Sequence, residues 1–127
     1  MKVAVVGKGG SGKSSVSWLL THALLAQGRT VYAIDADHNM DFTALLGGEV
    51  TEATPTMHRT HDAFKEAVGQ QPGQYWQDIV LDGRTLPAFT ADDAYTRTIA
   101  RPLSERLSLI TVGLGAEDVL FSDKCAH

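Results

Sequence analysis

Cysteine is almost missing from this chain: Cys125 is the only one in 127 residues. No internal disulfide framework is possible, and such sparing use suits a reducing cytosol. Long apolar runs are missing too. None nears the ~18 residues of a membrane helix, so a membrane span is excluded and a cytoplasmic location is expected. There is no overall basic excess; the net charge is −4, which argues against a large nucleic-acid surface. At 43% hydrophobic and 20% charged residues, the composition is neither disordered nor collagen-like. Acid is absent from one region only. Residues 1–34 hold Lys2, Lys8, Lys13 and Arg29 but no Asp or Glu, and all 15 acidic residues follow. That opening suits a polyanionic ligand. Met1–Val6 runs directly into Gly7–Gly10, which fits neither a signal peptide nor a transit peptide.

What is present reads as an α/β chain. Lys2–Val6 is a short β-branched run, expected as a buried strand. Four glycines in Gly7–Gly12 mark a loop with special backbone angles or close ligand approach. Lys13–Gln27 predicts a helix, with Val16, Leu19, Leu20, Ala23 and Leu24 on one apolar stripe and Gly28 to end it. Thr30–Ile34 predicts a second buried strand ending at Asp35, so the opening reads as a right-handed βαβ unit. Asp41–Leu46 predicts a short helix stopped by Gly47-Gly48, residues 49–60 a loop, and Ala63–Val68 a turn or two of helix. Residues 70–93 show no period. Tyr95–Ala100 is expected to be an extended edge segment, and Leu107–Val112 a third buried strand before Gly113 and Gly115.

Gly7-Lys8-Gly9-Gly10-Ser11-Gly12-Lys13-Ser14 matches the phosphate-loop pattern G-x-x-x-x-G-K-[ST] in full. A chance match in a chain of this size is on the order of one in a few hundred, given glycine's usual frequency. The glycines let backbone N–H groups converge on phosphate oxygens. The helix that follows adds its positive dipole end. Lys13 reaches the outer phosphates, and the Ser14 hydroxyl offers an oxygen to Mg²⁺. The nucleotide-binding set is Gly7, Lys8, Gly9, Gly10, Ser11, Gly12, Lys13, Ser14 and Ser15.

An acidic segment follows the second strand, Asp35-Ala36-Asp37-His38-Asn39-Met40-Asp41. Ligands bind at that end of strands in open α/β sheets. If a helix starts here, Asp37 and Asp41 share one face. One carboxylate could then orient an attacking water and the other hold a Mg²⁺-bound water. The same residues also read as a helix N-cap with a first-turn acid.

Lys8 directly after the first glycine makes the loop resemble the deviant Walker A motif, K-G-G-x-G-K-[ST]. That motif marks the family of nitrogenase iron protein, the MinD and ParA ATPases, and CooC-type nickel-insertion ATPases. The resemblance implies a P-loop NTPase fold, a mostly parallel sheet with helices on both faces, binding Mg²⁺-ATP. Lys8 would reach the partner's nucleotide across a nucleotide-dependent homodimer. ATP over GTP rests on the resemblance alone. Asp35–Asp41 looks like the family's switch I. Asp37 falls on the aspartate that assists hydrolysis and Asp41 on the metal-side aspartate, while His38 stands where proline is expected. Lys8, Lys13 and Asp37 are therefore the implied catalytic residues, and Ser14 and Asp41 the implied Mg²⁺ residues.

Cys125 and His127 follow the third strand, where the iron-protein and CooC-type branches place metal-binding cysteines. Two subunits supplying both residues would give an S₂N₂ set acceptable for Zn²⁺ or Ni²⁺. A structural thiol is the alternative. His22, His58 and His61 show no ligand pattern. The favoured expectation is a CooC-like metallocentre-maturation ATPase with a client metalloenzyme. A ParA- or MinD-type ATPase comes second, though no basic DNA surface or amphipathic membrane helix is legible. From another class comes a nucleotide-binding module without turnover, because no later apolar strand ends in an acid. Three strand candidates fall short of the ~5–6 of a typical sheet. Residues 1–127 are thus expected to be the N-terminal part of a single P-loop ATPase domain.

Overall fold

The computed structural model describes residues 1–37, 39–71 and 89–113. Their elements, in chain order, are α1 (Lys13–Ala26), β1 (Val31–Asp35), α2 (Asp41–Leu45), α3 (His61–Ala67), α4 (Ala94–Ile99), β2 (Arg101–Ser104) and β3 (Leu107–Thr111). The strands form one sheet in the order β1-β3-β2. β1 and β3 run parallel, from Val31 opposite Leu107 to Asp35 opposite Thr111. β2 and β3 are an antiparallel hairpin turned by Glu105-Arg106, with a register shift between Pro102 and Ser104.

β3 is central because its side chains suit both faces. Leu107 and Leu109 join Ala33 and Phe42 in one cluster, with Leu25, Val31, Leu46 and Leu103 packed on it. Ile110 points the other way, to Tyr95 and Ile99, backed by Met57, Phe64 and Ala100. The two-residue alternation of a strand thus places α1 and α2 on one face and α3 and α4 on the other. α1 ends where expected. Gly28 takes φ 77°, its N–H donates to Leu25 O, and Arg29 N donates to Leu24 O, the paired bonds of a Schellman stop.

Four expectations need correction. Lys2–Val6 is not a strand, and Val6 is 85% exposed. An apolar run becomes a strand only against a partner edge. Among the described residues none pairs with it, so the opening βαβ unit is not formed. The α1 stripe is likewise not the buried face. Val16 and Leu19 are exposed, while Thr21 is the helix's buried residue, its hydroxyl donating to Ser17 O at 2.8 Å. With residues 2–6 out of the sheet, the described residues leave Val16 and Leu19 uncovered. β1 is buried on one face only, with Ala33 and Asp35 inward and Ile34 58% exposed.

Lastly, Tyr95–Ala100 is largely helix, not edge strand. Asp93 caps α4 by accepting from Thr96 N at 2.7 Å, and Tyr95 and Ile99, four apart, turn the same side to Ile110. The strand here comes just after it, in β2. Its Pro102 sits on an edge strand, where a missing N–H is tolerated.

Candidate nucleotide-binding site

The phosphate loop is closed on one atom. Lys8 O accepts from Ser11 N at 3.2 Å, Ser11 Oγ at 2.6 Å and Lys13 Nζ at 3.0 Å. The chain therefore curls round its own carbonyl and draws the Lys13 ammonium over the ring. A Cβ on Gly7 would lie 2.7 Å from Ser11 Oγ, so a larger residue there would displace the hydroxyl from Lys8 O. Gly12 is needed for its angle. It is the residue before α1, at φ 90°, a left-handed conformation costly to any residue with a Cβ. No side chain caps α1 and no acid lies in its first turn. Its first N–H groups and dipole thus stay available to an anion. Gly9, Gly10, Ser11 and Ser15 are exposed; Lys13 and Ser14 are half-buried at the start of the helix.

At the end of β1 the chain turns twice before α2. Asp37 Oδ1 accepts from Asn39 N at 3.3 Å and Asp37 O from Met40 N at 3.2 Å. Met40 takes φ 53° as the residue before α2. The helix therefore begins at Asp41, so Asp37 lies in the turn ahead of it. The shared helix face expected for Asp37 and Asp41 is not formed, because α2 begins only at Asp41. Asp37 is half-buried and Asp41 exposed. α2 packs against α1, the helix that the phosphate loop opens.

Asp35, which sequence reasoning passed over, sits behind this turn. It is 2% exposed. Its Oδ1 accepts from Asp37 N at 3.1 Å, and its Oδ2 from Thr43 N at 2.8 Å and Thr43 Oγ1 at 2.6 Å. Thr43 Oγ1 lies 3.2 Å from Thr111 Oγ1 on β3. The Asp35 carbonyl also accepts from Val112 N at 2.9 Å, which ties the two strand ends together. One cue was available: Asp35 shares strand parity with Ala33, so an acid stood on the buried side.

His22 lies within α1, His58 in a loop and His61 at the start of α3. No group of three or more His, Cys, Asp or Glu gathers among the described residues. His38, Cys125 and His127 lie outside the described residues, as does most of the periodless segment. No described helix is long and apolar enough to cross a membrane.

The model of the CobQ/CobB/MinD/ParA nucleotide binding domain matches residues 2–119. The chain belongs to that family. Its fold is therefore that of a MinD/ParA-type P-loop NTPase, a nucleotide-binding domain. An uncharacterized ATP-binding protein of Methanocaldococcus jannaschii is 33% identical over 75 residues, 59% of this chain and 28% of that protein. The carbon monoxide dehydrogenase accessory protein CooC of Rhodospirillum rubrum is 47% identical over 47 residues, 37% of this chain and 18% of that protein. The matched stretches thus span under a third of either relative. No solved structure matches at a significant level.

Proposed function

We propose that this family member binds Mg²⁺-ATP at Gly7–Ser15 and hydrolyses it as a nucleotide-dependent homodimer, in the service of metallocentre maturation. The observation that carries the reading is the self-closed loop at the uncapped start of α1, with Lys13 resting on Lys8 O. ATP is supported by the name of the Methanocaldococcus relative, and an accessory role toward another enzyme by that of the carbon monoxide dehydrogenase accessory protein.

The donors fit Mg²⁺. Ser14 and Asp41 offer a hydroxyl and a carboxylate, and the described residues gather no all-protein cage. Mg²⁺ takes few protein oxygens and completes its shell with phosphate and water. When bound, it neutralises phosphate charge. Lys13 exchanges Lys8 O for a phosphate oxygen. The α1 N–H groups hold the phosphates in place, and Asp37 orients the attacking water. Lys8, exposed on the loop, reaches the partner's nucleotide. Cys125 and His127 from two subunits would hold Zn²⁺ or Ni²⁺ as cargo for a client metalloenzyme. Zn²⁺ titration of Cys125→Ser tests this, and unchanged stoichiometry rejects it.

A second reading is favoured by the exposed Lys2–Val6 run and the uncovered α1 stripe: residues 1–127 bind nucleotide without turnover. Phosphate release with Mg²⁺-ATP decides between them. Turnover that is lost in Asp37→Asn supports the ATPase. Nucleotide binding with no release by the unmodified chain supports the module. A ParA- or MinD-type positioning role would instead show as nucleotide-dependent binding to DNA or vesicles.

A further inference from the structure

We infer that Asp35 is a positioning residue for the acidic turn, acting as a cap delivered from β1 to a helix that its own preceding residue cannot cap. The inference rests on the reading of Asp37 and Asp41 as the water and metal side of the site. α2 starts after Met40, which makes no side-chain cap bond. The bond an N-cap side chain would normally make goes to the N–H three residues in. Here Thr43 is that residue, and its N–H donates at 2.8 Å to Asp35 Oδ2, eight residues back. The Thr43 hydroxyl adds a second donor at 2.6 Å to the same oxygen. The other oxygen takes Asp37 N at 3.1 Å. One buried carboxylate thus holds Asp37 on one oxygen and Thr43 on the other, and Asp41 lies between these two partners along the chain.

The chemistry of the site requires such a support. Asp37 is half-buried and Asp41 exposed, and five residues of α2 are too few to be stable alone. A carboxylate is the group that serves, because all three contacts are donors and both oxygens must accept. Asparagine has the same shape but turns one oxygen into an NH₂ that faces a donor. The carboxylate is in turn braced by β3, since Thr43 Oγ1 also meets Thr111 Oγ1 at 3.2 Å. Asp35 acts on the nucleotide only through the residues it holds. The phosphate loop makes none of these bonds, so the two halves of the site are separable by experiment.

The test is binding of a fluorescent ATP analogue to the 127-residue chain, in MgCl₂ and in EDTA, for the unmodified protein, Asp35→Asn, Thr43→Val and Thr43→Ser. Backbone amide exchange of Asp37 and Thr43 is followed in parallel. Asp35→Asn is expected to weaken binding in Mg²⁺ by about 10- to 100-fold, the effect of losing a hydrogen bond to a charged group, and to leave binding in EDTA unchanged. Thr43→Val should fall between, and Thr43→Ser should restore the unmodified behaviour. Amide protection at both positions should drop in Asp35→Asn. Equal loss with and without Mg²⁺ marks a merely structural role and overturns the inference. So does an Asp35→Asn chain that keeps its Mg²⁺ response. An unmodified chain indifferent to Mg²⁺ overturns the underlying functional reading, and the assignment of Asp35 to it falls too.

Discussion

The Lys13 ammonium rests 3.0 Å from the Lys8 carbonyl, an uncharged acceptor on an exposed loop. A phosphate oxygen is a stronger acceptor for the same ammonium, because it carries a full negative charge where the carbonyl offers only a dipole. Lys13→Ala is therefore expected to lower ATP affinity about tenfold to a hundredfold, the worth of one charge-assisted hydrogen bond. Its melting temperature should move little. Isothermal titration alongside thermal melts checks both, and unimpaired affinity would remove Lys13 from the site. This half of the candidate site could be read from the sequence as a loop and a helix start because it is local: loop, lysine and helix start fall within nine consecutive residues, Gly7–Ser15. Asp35 was not legible as a site residue. Its partners are Asp37, then Thr43 eight residues on, braced by Thr111 on β3, and only the fold brings them to one carboxylate.

At the scale of elements, α4 shows composition losing to a cap. Thr, Tyr and Ile favour strands, yet Ala94–Ile99 is helical because Asp93 satisfies its first turn and Tyr95 and Ile99 share one side. The N–H of Thr96 is the main cause holding the Asp93 carboxyl below its ordinary value of 3.8, with Thr90 N helping and desolvation opposing. A depressed carboxyl pKa adds stability above the unfolded value, and that stability is lost as pH falls through the folded value. Asp93→Ala should therefore lower the melting temperature at neutral pH, with the gap to the unmodified chain closing below pH 3.8. Circular dichroism melts across acid pH test this, and a gap that persists undiminished in acid rules the cap out as its source. The other misread element fails for the opposite reason. Lys2–Val6 has the composition of a strand, but strand formation depends on a partner edge, which no local pattern encodes. Where local bonds sufficed, as at Gly28 ending α1 and Gly47 after α2, the boundaries were legible to within a residue or two.

Across the whole molecule, burial is uneven. Leu109 is fully enclosed at the centre of the sheet, whereas Ile34 stands 58% exposed on the edge strand β1. Leu109→Ala should cost about 2–5 kcal/mol through lost burial and the cavity left behind. Ile34→Lys should change stability by no more than about 0.5 kcal/mol, as exposed substitutions do. It should also reduce self-association, because a charge blunts an apolar sheet edge. Urea melts and size-exclusion chromatography read the two effects; equal damage from both variants would contradict the one-sided burial of β1.

The contact between Thr43 and Thr111 bridges 68 residues. It also sets an order of events as the chain is made. The loop and α1 close through near neighbours, so every partner of their own backbone bonds is present once about thirty residues have emerged. The carboxylate between β1 and α2 gains its full surroundings only when β3 is synthesised and paired, since Thr111 and Val112 come from there. Non-local pairing is the slow part of folding. The local bonds of the loop are thus available first, and the acidic turn after β1 takes its final shape last.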